Sequence, residues 1–406
     1  MKILHINTHD SGGAEMAAYR LHQALCKYGH QSEFLTLHNS HKFKDAITFQ
    51  PRWPSFLGKK LITRMTGNLN DKQIAQALSN NPLIEVFTSP DTIYNIFDFT
   101  STRKVDIIHL HWIGNFIDFK TFFKGNSKPL VWTFHDENPL LGGFHYSEDI
   151  AYADSNLRIL DDQLKEVKET AIASGNNKIG VICPSNWLKK KAEKSFIKDF
   201  SRIVHIPYCL DVESFPLVLR DQARSNFNIP SGTKVFTIVA SDLRTHRKGF
   251  DIVLQLIPHF NSYPDIKFLI VGDYPQNLRS TQQNIIFLGK VNSLEKLRDI
   301  YAASDALLLA SRQDNLPNVM LESLIMGCPI LGFKVGGIAD VIVDNINGLL
   351  TSEISANGLS LLMKKFLSCT DSFDRTKIRE QAIKRFNARD LVGEVTLFYQ
   401  SIIQGL

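Results

Sequence analysis

Residues 310–340, ASRQDNLPNVMLESLIMGCPILGFKVGGIAD, combine two carboxylates, a predicted helix start and two loops. The run SDALLLAS at 304–311 is apolar without the alternation of a half-exposed strand, which predicts a strand buried on both faces of a parallel sheet. Pro317 suits the first position of a helix, and Gly327 followed by Pro329 ends that helix about three turns later. A buried strand, a polar loop and a short helix in this order indicate an α/β protein.

The start of this helix is a candidate anion site. Its first N–H groups, near Asn318 and Val319, face the loop, and the positive end of the helix dipole favours a phosphate there. Glu322 follows among apolar side chains, where a carboxylate needs donors such as the paired hydroxyls of a ribose. Asp314, in the loop, would lie nearer the reacting end of the same ligand. The alternative is that Glu322 is a solvated helix residue and Asp314 a turn former.

This stretch resembles the E-x7-E motif of the retaining glycosyltransferases of family 4, which have the GT-B fold. Asp314 takes the first acidic position, where the family usually has glutamate, and Glu322 takes the second. The sequence GGIAD at 336–340 resembles the family's second glycine loop. The resemblance implies that Glu322 holds the ribose of a nucleotide sugar and that Asp314 contacts the donor sugar.

The composition is that of a soluble globular protein of two or three domains, with 406 residues, 44% hydrophobic and 21% charged. A formal charge of +5 favours an anionic ligand or a lipid surface without indicating nucleic acid. The five cysteines are scattered and lack C-x-x-C spacing, which indicates a reducing compartment and no zinc cluster. The N-terminal residues predict a strand and not a signal peptide, and no apolar run could span a membrane. We therefore expect a cytoplasmic protein.

Residues 2–29 predict a strand, a glycine turn and a helix, which is the opening of a doubly wound α/β domain. The turn carries only Gly12 and Gly13, so the G-x-G-x-x-G spacing of dinucleotide-binding proteins is absent. Paired glycines let the backbone approach a ligand, although a simple tight turn is the alternative. The resemblance to the family's N-terminal glycine loop implies that the pair lies beside the donor phosphates.

Residues 51–67 predict a basic amphipathic helix, which is typical of a segment lying on anionic lipid. An ordinary surface helix with one inward face is the alternative. In family terms this part of the first domain handles the acceptor, which is often lipid-linked. We therefore expect peripheral contact with an anionic membrane at its inner face.

Histidines follow two predicted strands, in KVDIIHLHWIG (104–114) and in KPLVWTFHDENP (128–139). Ligands of open α/β sheets bind beyond such strand ends. His109 lies within its strand pattern, which is more typical of a core group. His135 lies at the strand exit in TFHD, which resembles the family's T-x-H element and implies that its imidazole meets the donor sugar. Asp136 is expected to orient His135.

The segment RIVHIPYCLDVESFPL (202–217) resembles the family's interdomain link, with Tyr208 in place of the usual asparagine. We expect two Rossmann-like doubly wound domains facing a cleft. The acceptor-side domain is predicted to comprise 1–207 with a returning C-terminal helix at 388–406. The nucleotide-sugar-binding domain is predicted to comprise 208–387.

The loop SDLRTHRKG (241–249) supplies the predicted cation. Lys248 matches the lysine of the family's K-G element, which implies a position against the donor diphosphate. Asp242 stands where the family has an arginine, and Arg244 is the predicted substitute, with Arg247 as the alternative. Exposed surface charges are the ordinary interpretation of such a loop. Facing helix starts and carboxylates, however, these cations could hold a leaving group.

These features predict a retaining, metal-independent transferase that moves a sugar from a nucleotide sugar to a saccharide or lipid-linked acceptor in surface polysaccharide synthesis. No Asp-x-Asp pair or His/Cys cluster in the sequence implies a metal, and no other cofactor is expected. Lys248, the helix start and the Gly12–Gly13 backbone would stabilise the leaving diphosphate. The alternatives are a GT-B epimerase or hydrolase of nucleotide sugars, a catalytically weak binding relative, and a dinucleotide oxidoreductase, which the glycine spacing disfavours.

Overall fold

The computed structural model describes residues 1–51, 69–175, 178–273 and 284–405. The chain divides into two compact units, Met1–Cys209 with Arg389–Leu406, and Leu210–Ala388. The domain limits predicted from the sequence fall within two residues of these divisions. Positions 52–67 of the predicted basic amphipathic helix lie outside the described residues.

The first unit contains, in its described part, a sheet of seven parallel strands. Its strands are β1 (Lys2–Asn7), β2 (Gln31–Thr36), β3 (Ile47–Thr48), β4 (Ile107–Leu110), β5 (Leu130–Thr133), β6 (Ile179–Cys183) and β7 (Ser201–His205). Its first α-helices are α1 (Gly13–Lys27), α2 (Leu69–Asn80), α3 (Phe97–Thr102), α4 (Phe119–Gly125), α5 (Ser155–Ala173) and α6 (Asn186–Ala192). The strand order is β3-β2-β1-β4-β5-β6-β7.

The second unit contains six parallel strands in its described part. Its strands are β8 (Lys234–Asp242), β9 (Ile266–Asp273), β10 (Ile285–Gly289), β11 (Ala306–Leu309), β12 (Ile330–Phe333) and β13 (Gly348–Thr351). Its α-helices are α7 (Arg220–Asn226), α8 (Phe250–Leu256), α9 (Leu294–Ala303), α10 (Asn318–Ile325), α11 (Ile338–Val341), α12 (Ala356–Ser368) and α13 (Arg375–Phe386). The strand order is β10-β9-β8-β11-β12-β13.

The central strands are buried along their whole length, as the apolar runs in the sequence predict. Every residue of β4, β5, β11 and β12 is buried. Parallel strands covered on both faces favour such continuous apolar sequences. Trp132 and Phe134 anchor the apolar core of the first unit, and Phe236 and Tyr301 are fully buried in the second.

The strand order reverses at one place in each sheet, between β1 and β4 and between β8 and β11. Each sheet thus has the order of a Rossmann-type doubly wound fold, which confirms the predicted fold class. Ligands of such sheets bind beyond the carboxyl ends of the strands at the reversal point. Gly12 follows β1 there, and Lys248 and Asp314 follow β8 and β11.

The last helix, α14 (Ala388–Ile403), belongs almost entirely to the first unit. Its Tyr399 is fully buried, and the hydroxyl lies 2.5 Å from Nδ1 of His109 on β4. Thr396 contacts His30 at 3.2 Å. The predicted return of the chain to the first unit is therefore present. Within the described ranges, none of the helices combines the length and the apolarity needed to cross a bilayer.

Candidate active site

The helix that follows β11 begins one residue later than predicted. The first residue of α10 is Asn318, and Pro317 precedes it as the N-cap with an extended backbone, φ −65° and ψ 127°. Gly327 ends the helix in the left-handed region at φ 72°, where glycine is favoured. The helix therefore has about two turns and not three. Asn318 and Val319 are half-buried at its start, where backbone N–H groups lack intrahelical acceptors.

Lys248 and Asp314 meet at the reversal point of the second sheet. Nζ of Lys248 donates to Oδ2 of Asp314 at 2.6 Å, and a guanidinium nitrogen of Arg247 lies 3.6 Å from the same oxygen. The side chain of Asp314 is only 8% exposed. Burial alone would raise the pKa of Asp314, but the charges of Lys248 and Arg247 hold it below its ordinary value. Asp314 is therefore an ionised carboxylate that orients two cations.

The second glycine loop packs directly on Asp314. The N–H of Gly337 donates to the carbonyl of Asp314 at 3.0 Å. Gly336 has φ 51°, and a Cβ there would lie 1.9 Å from that carbonyl oxygen. The sequence indicates both the Asp314 loop and the glycine loop as parts of the site, but it does not predict that they contact each other. Gly336 is required here because it lets the backbone approach Asp314.

Glu322 is a buried acid, so its interpretation as a solvated helix residue is wrong. It is 5% exposed on α10, and its Oε2 accepts a hydrogen bond from the hydroxyl of Tyr301 at 3.0 Å. Tyr301 comes from α9 and is fully buried. This contact fixes the glutamate side chain within the second unit, one helical turn beyond Asn318.

Arg244 does not reach the Lys248–Asp314 pair. Its guanidinium forms a two-pronged ion pair with Asp242, at 2.8 and 2.7 Å, and its side chain is 60% exposed. The hydrogen bond from Arg244 lowers the pKa of Asp242. The arginine beside the pair is instead Arg247, 10% exposed, which also donates to the carbonyl of Gln313 at 3.2 Å. Arg244 instead pairs with Asp242 and with Asp273, so its predicted contact with the donor stays a prediction, while the alternative, Arg247, is the arginine that lies beside Asp314.

The Gly12–Gly13 turn encloses an acid that sequence reasoning missed. Gly12 has φ 131° and caps α1, which begins at Gly13. A Cβ at Gly12 would lie 2.2 Å from Oε2 of Glu15, which is 7% exposed. Burial raises the pKa of Glu15 to about 7. The sequence GGAE at 12–15 is the signal that could have identified this carboxyl group.

His135 is held at both ring nitrogens within the first unit. Nε2 lies 3.1 Å from Nδ1 of His111, and Nδ1 lies 2.8 Å from the hydroxyl of Tyr208. Burial lowers the pKa of His135 to about 4, so the imidazole is neutral near pH 7. The partners of Asp136 are His145 at 2.7 Å and Trp112 at 3.1 Å. His111 and Tyr208 thus hydrogen-bond His135, while the charge of Asp136 acts on the ring by raising its pKa against the effect of burial, so an orienting role for Asp136 stays a prediction.

Three histidines form a buried cluster that the sequence does not predict. The register of β1 and β4 pairs His5 with His109, and ring nitrogens of His5, His109 and His111 lie within 4.8 Å of one another. His5 and His111 bond each other at 2.8 Å, while His109 bonds Tyr399 and Thr133. Both ring nitrogens of His109 and Nδ1 of His5 are used by these hydrogen bonds, whereas Nε2 of His5 is buried without a hydrogen-bond partner in the described part of the chain. The spacing of the three rings could suit a metal ion, and the hydrogen bonds are equally those of a polar core.

Comparison with known proteins identifies the family of this chain. Residues 11–214 match the family model described as Glycosyltransferase Family 4. The chain belongs to glycosyltransferase family 4. Residues 233–368 match a second model, described as Glycosyl transferases group 1. The family 4 protein is thus a glycosyltransferase, which confirms the enzyme class predicted from the acidic motif and the glycine loops.

The family 4 chain also resembles individual proteins along most of its length. A phosphatidylinositol N-acetylglucosaminyltransferase subunit of Arabidopsis thaliana is 21% identical, over 97% of this chain and 79% of its own. Sucrose-phosphate synthase from Thermosynechococcus elongatus has a TM-score of 0.70 at 15% identity, and all of both chains is covered. Anabaena HepE, solved in complex with UDP-glucose, has a TM-score of 0.67 at 16% identity, over 99% of this chain and 100% of its own. At these identities the two solved structures show the fold alone.

Proposed function

We propose that this family 4 protein is a retaining, metal-independent glycosyltransferase whose second unit binds the nucleotide sugar. The observation that carries the proposal is the 2.6 Å contact of Lys248 with Asp314, where the strand order of the second sheet reverses. The start of α10 lies in the same loop region and offers N–H groups to a phosphate. The UDP-glucose complex of the Anabaena protein with the same fold supports a nucleotide-sugar donor.

Lys248 stabilises the negative charge that builds on the diphosphate as the bond between sugar and phosphate breaks. Its side chain is 28% exposed, so the ammonium group can turn from Asp314 toward a phosphate oxygen. Arg247, at 3.6 Å from Asp314, then keeps that carboxylate neutralised. A positive charge that is already positioned in a partly desolvated site stabilises the leaving diphosphate more than the same charge would in water.

Glu322 accepts hydrogen bonds from the ribose hydroxyls, and Asp314 contacts the donor sugar. The contact with Tyr301 limits the rotamers of Glu322, which lowers the entropy lost when a ribose binds. Asp314 is a shorter side chain than the usual glutamate, but the glycine loop at 336–337 holds its backbone in place. The roles of Gly12, Gly13 and His135 toward the donor stay predictions from the resemblance.

The retaining course needs no protein nucleophile, because the leaving phosphate assists the incoming hydroxyl on the same face of the sugar. Metal independence is supported by the charge of the site, since Asp314 is already paired with Lys248 and Arg247. The proposed acceptor is a saccharide or a lipid-linked molecule in surface polysaccharide synthesis. The name of the Arabidopsis relative, which contains phosphatidylinositol, supports the lipid-linked class.

The test is a transfer assay with UDP, GDP and ADP sugars, lipid-linked acceptors and EDTA. We expect acceptor-dependent transfer that survives EDTA and gives a product with the anomeric configuration of the donor. Loss of activity in EDTA that Mg²⁺ or Mn²⁺ restores would overturn metal independence, and an inverted product would overturn the retaining course. Free sugar or an epimer formed without acceptor would favour the hydrolase or epimerase alternative.

A further inference from the structure

A basic cavity lies at the edge of the second sheet opposite Lys248 and Asp314. Lys234 is the first residue of β8, and Asp305 directly precedes β11, so both lie at the amino ends of these strands. The cavity has a volume of about 290 Å³. Its cationic lining residues are Arg220, Arg224, Lys234 and Arg375. The nucleotide-sugar site follows the carboxyl ends of the same strands, so the two sites are separate.

Asp305 holds these cations in place. Its side chain is 2% exposed, with Oδ1 at 2.7 Å from Arg220 and Oδ2 at 2.8 Å from Arg224. The N–H of Val235 also donates to Oδ2 at 2.8 Å. The carboxylate is therefore saturated with donors and fixes the guanidinium groups before any ligand arrives. Such preorganisation lowers the entropic cost of binding.

Positive charge exceeds negative charge around the cavity. The four cations face two carboxylates, Asp305 and the exposed Asp371, which leaves a formal excess of two positive charges. Burial and then the neighbouring charge of Arg220 lower the pKa of Arg224, which shows that the cations repel one another. An added anion would relieve this repulsion.

Several hydrogen-bond donors along the lining are available to such an anion. The side chains of Arg220 and Lys234 are 35% and 36% exposed, and Lys234 lies 3.7 Å from Asp305, beyond a good hydrogen bond. Thr233 also lines the cavity and adds a hydroxyl group to this set. Two cations and a hydroxyl form a donor set suited to the oxygens of a phosphate group.

We propose that this cavity binds the phosphate group of a small phosphomonoester, at a site distinct from that of the nucleotide sugar. The volume is at the lower end of small-molecule sites, which are about 300–1,000 Å³, and it leaves room for a small organic group beside the phosphate. Arg220, Lys234 and Thr233 contact the phosphate oxygens, while Asp305 positions the cations. The proposal stands independently of the proposed transferase activity.

The test is calorimetric titration of the full chain with inorganic phosphate and with glucose 6-phosphate. A Lys248→Ala background is used because the donor site could itself take phosphate. We expect one site in this background, and its affinity should not change with saturating UDP. Adding Arg220→Gln with Lys234→Gln should weaken binding at least about tenfold, since two charge-assisted contacts are lost. Lys364→Gln, an exposed cation on α12, is the matched control and should leave the affinity unchanged.

Thr233→Val keeps every charge and tests the site even if the double variant unfolds. We expect it to weaken phosphate binding about threefold to tenfold, the loss of one hydrogen bond. The proposal is overturned if Lys248→Ala or UDP abolishes phosphate binding, or if sodium chloride at matched ionic strength gives the same heat. It is also overturned if the cavity variants bind as tightly as their parent. Tighter binding of glucose 6-phosphate than of inorganic phosphate would support the phosphomonoester class. Weaker binding of glucose 6-phosphate than of inorganic phosphate would contradict the proposal, because the site would then be one for free phosphate.

Discussion

The hydroxyl of Tyr208 lies 2.8 Å from Nδ1 of His135, and the two rings stack with centroids 5.3 Å apart. Tyr208 stands at a position where the family usually has asparagine. Because His111 bonds the other ring nitrogen, the imidazole is clamped from both sides. These two neighbours therefore set the orientation of the His135 ring.

Tyr208→Phe should destabilise the protein while keeping the ring stack. We expect the free energy of unfolding to fall by about 1–2 kcal/mol, because a buried ring nitrogen loses its partner. Urea unfolding measures this change. Tyr263→Phe is the control, since Tyr263 is 43% exposed and should show no loss. Equal stability of the two variants would mean that the Tyr208 hydroxyl contributes nothing.

Acidification should destabilise the first unit through its buried histidines. Burial lowers the pKa of His135 to about 4, and it lowers the pKa of His5, His109 and His111 well below the ordinary value. Between pH 6.5 and 4 the unfolded chain binds these protons first, so stability falls as pH falls. Each histidine contributes up to about 1.4 kcal/mol per pH unit. Glu15, with a pKa raised to about 7, acts in the opposite direction but is one group against four.

Urea unfolding at pH 7 and pH 5 checks this dependence. His135→Gln should reduce the loss of stability on acidification, whereas His259→Gln, at an exposed position, should leave it unchanged. A wild type that is equally stable at both pH values would show that the histidines are not held neutral by burial.

Glu322→Gln should separate binding from folding. Glutamine keeps an oxygen that can accept from Tyr301, so we expect the melting temperature to stay nearly constant. Nucleotide affinity should fall by about 1–3 kcal/mol, because the ribose hydroxyls lose a charged acceptor. Calorimetric titration and thermal melts measure the two effects. If the variant melts earlier but binds nucleotide as tightly as wild type, Glu322 has a purely structural role.

Gly12→Ala should damage the turn at the start of α1. The backbone at φ 131° disfavours any side chain, and a Cβ would lie 2.2 Å from Glu15. We expect a loss of about 1–3 kcal/mol in unfolding free energy. Gly393→Ala is the matched control on α14, because it has open space and should gain about 0.5–1 kcal/mol from helix propensity. Similar stability of the two alanine variants would show that the turn adapts.

The sequence predicts the fold well because its signals are local. The uninterrupted apolar run before Ser311 is typical of a strand covered on both faces, and the glycine and proline after α10 end that helix. Parallel connectivity then places Lys248 and Asp314 at neighbouring strand ends, whichever side chains surround them. Topology thus brings the two residues to the same edge of the sheet, and their side-chain contact is seen only in the structure.

The remaining features depend on contacts between distant residues or on side-chain orientation. His5 and His111 are 106 positions apart and meet only through the register of β1 with β4. Arg244 and Arg247 are both candidates in the sequence, and only the structure shows that Arg244 pairs with Asp242 and Asp273 whereas Arg247 lies beside Asp314. The sequence indicates Glu15 as a buried acid only weakly, because its burial depends on the conformation of Gly12.

The most direct test of the central claim is the steady-state turnover of Lys248→Ala with the nucleotide sugar that wild type uses. If Lys248 receives the leaving diphosphate, kcat should fall about 100- to 1,000-fold with little change in melting temperature. Lys364→Ala is the control. Lys364 is an exposed cation on α12 of the same unit, and its variant should retain wild-type turnover. The account is contradicted if Lys248→Ala folds and keeps a turnover within about twofold of wild type, because loss of such a charge should cost far more.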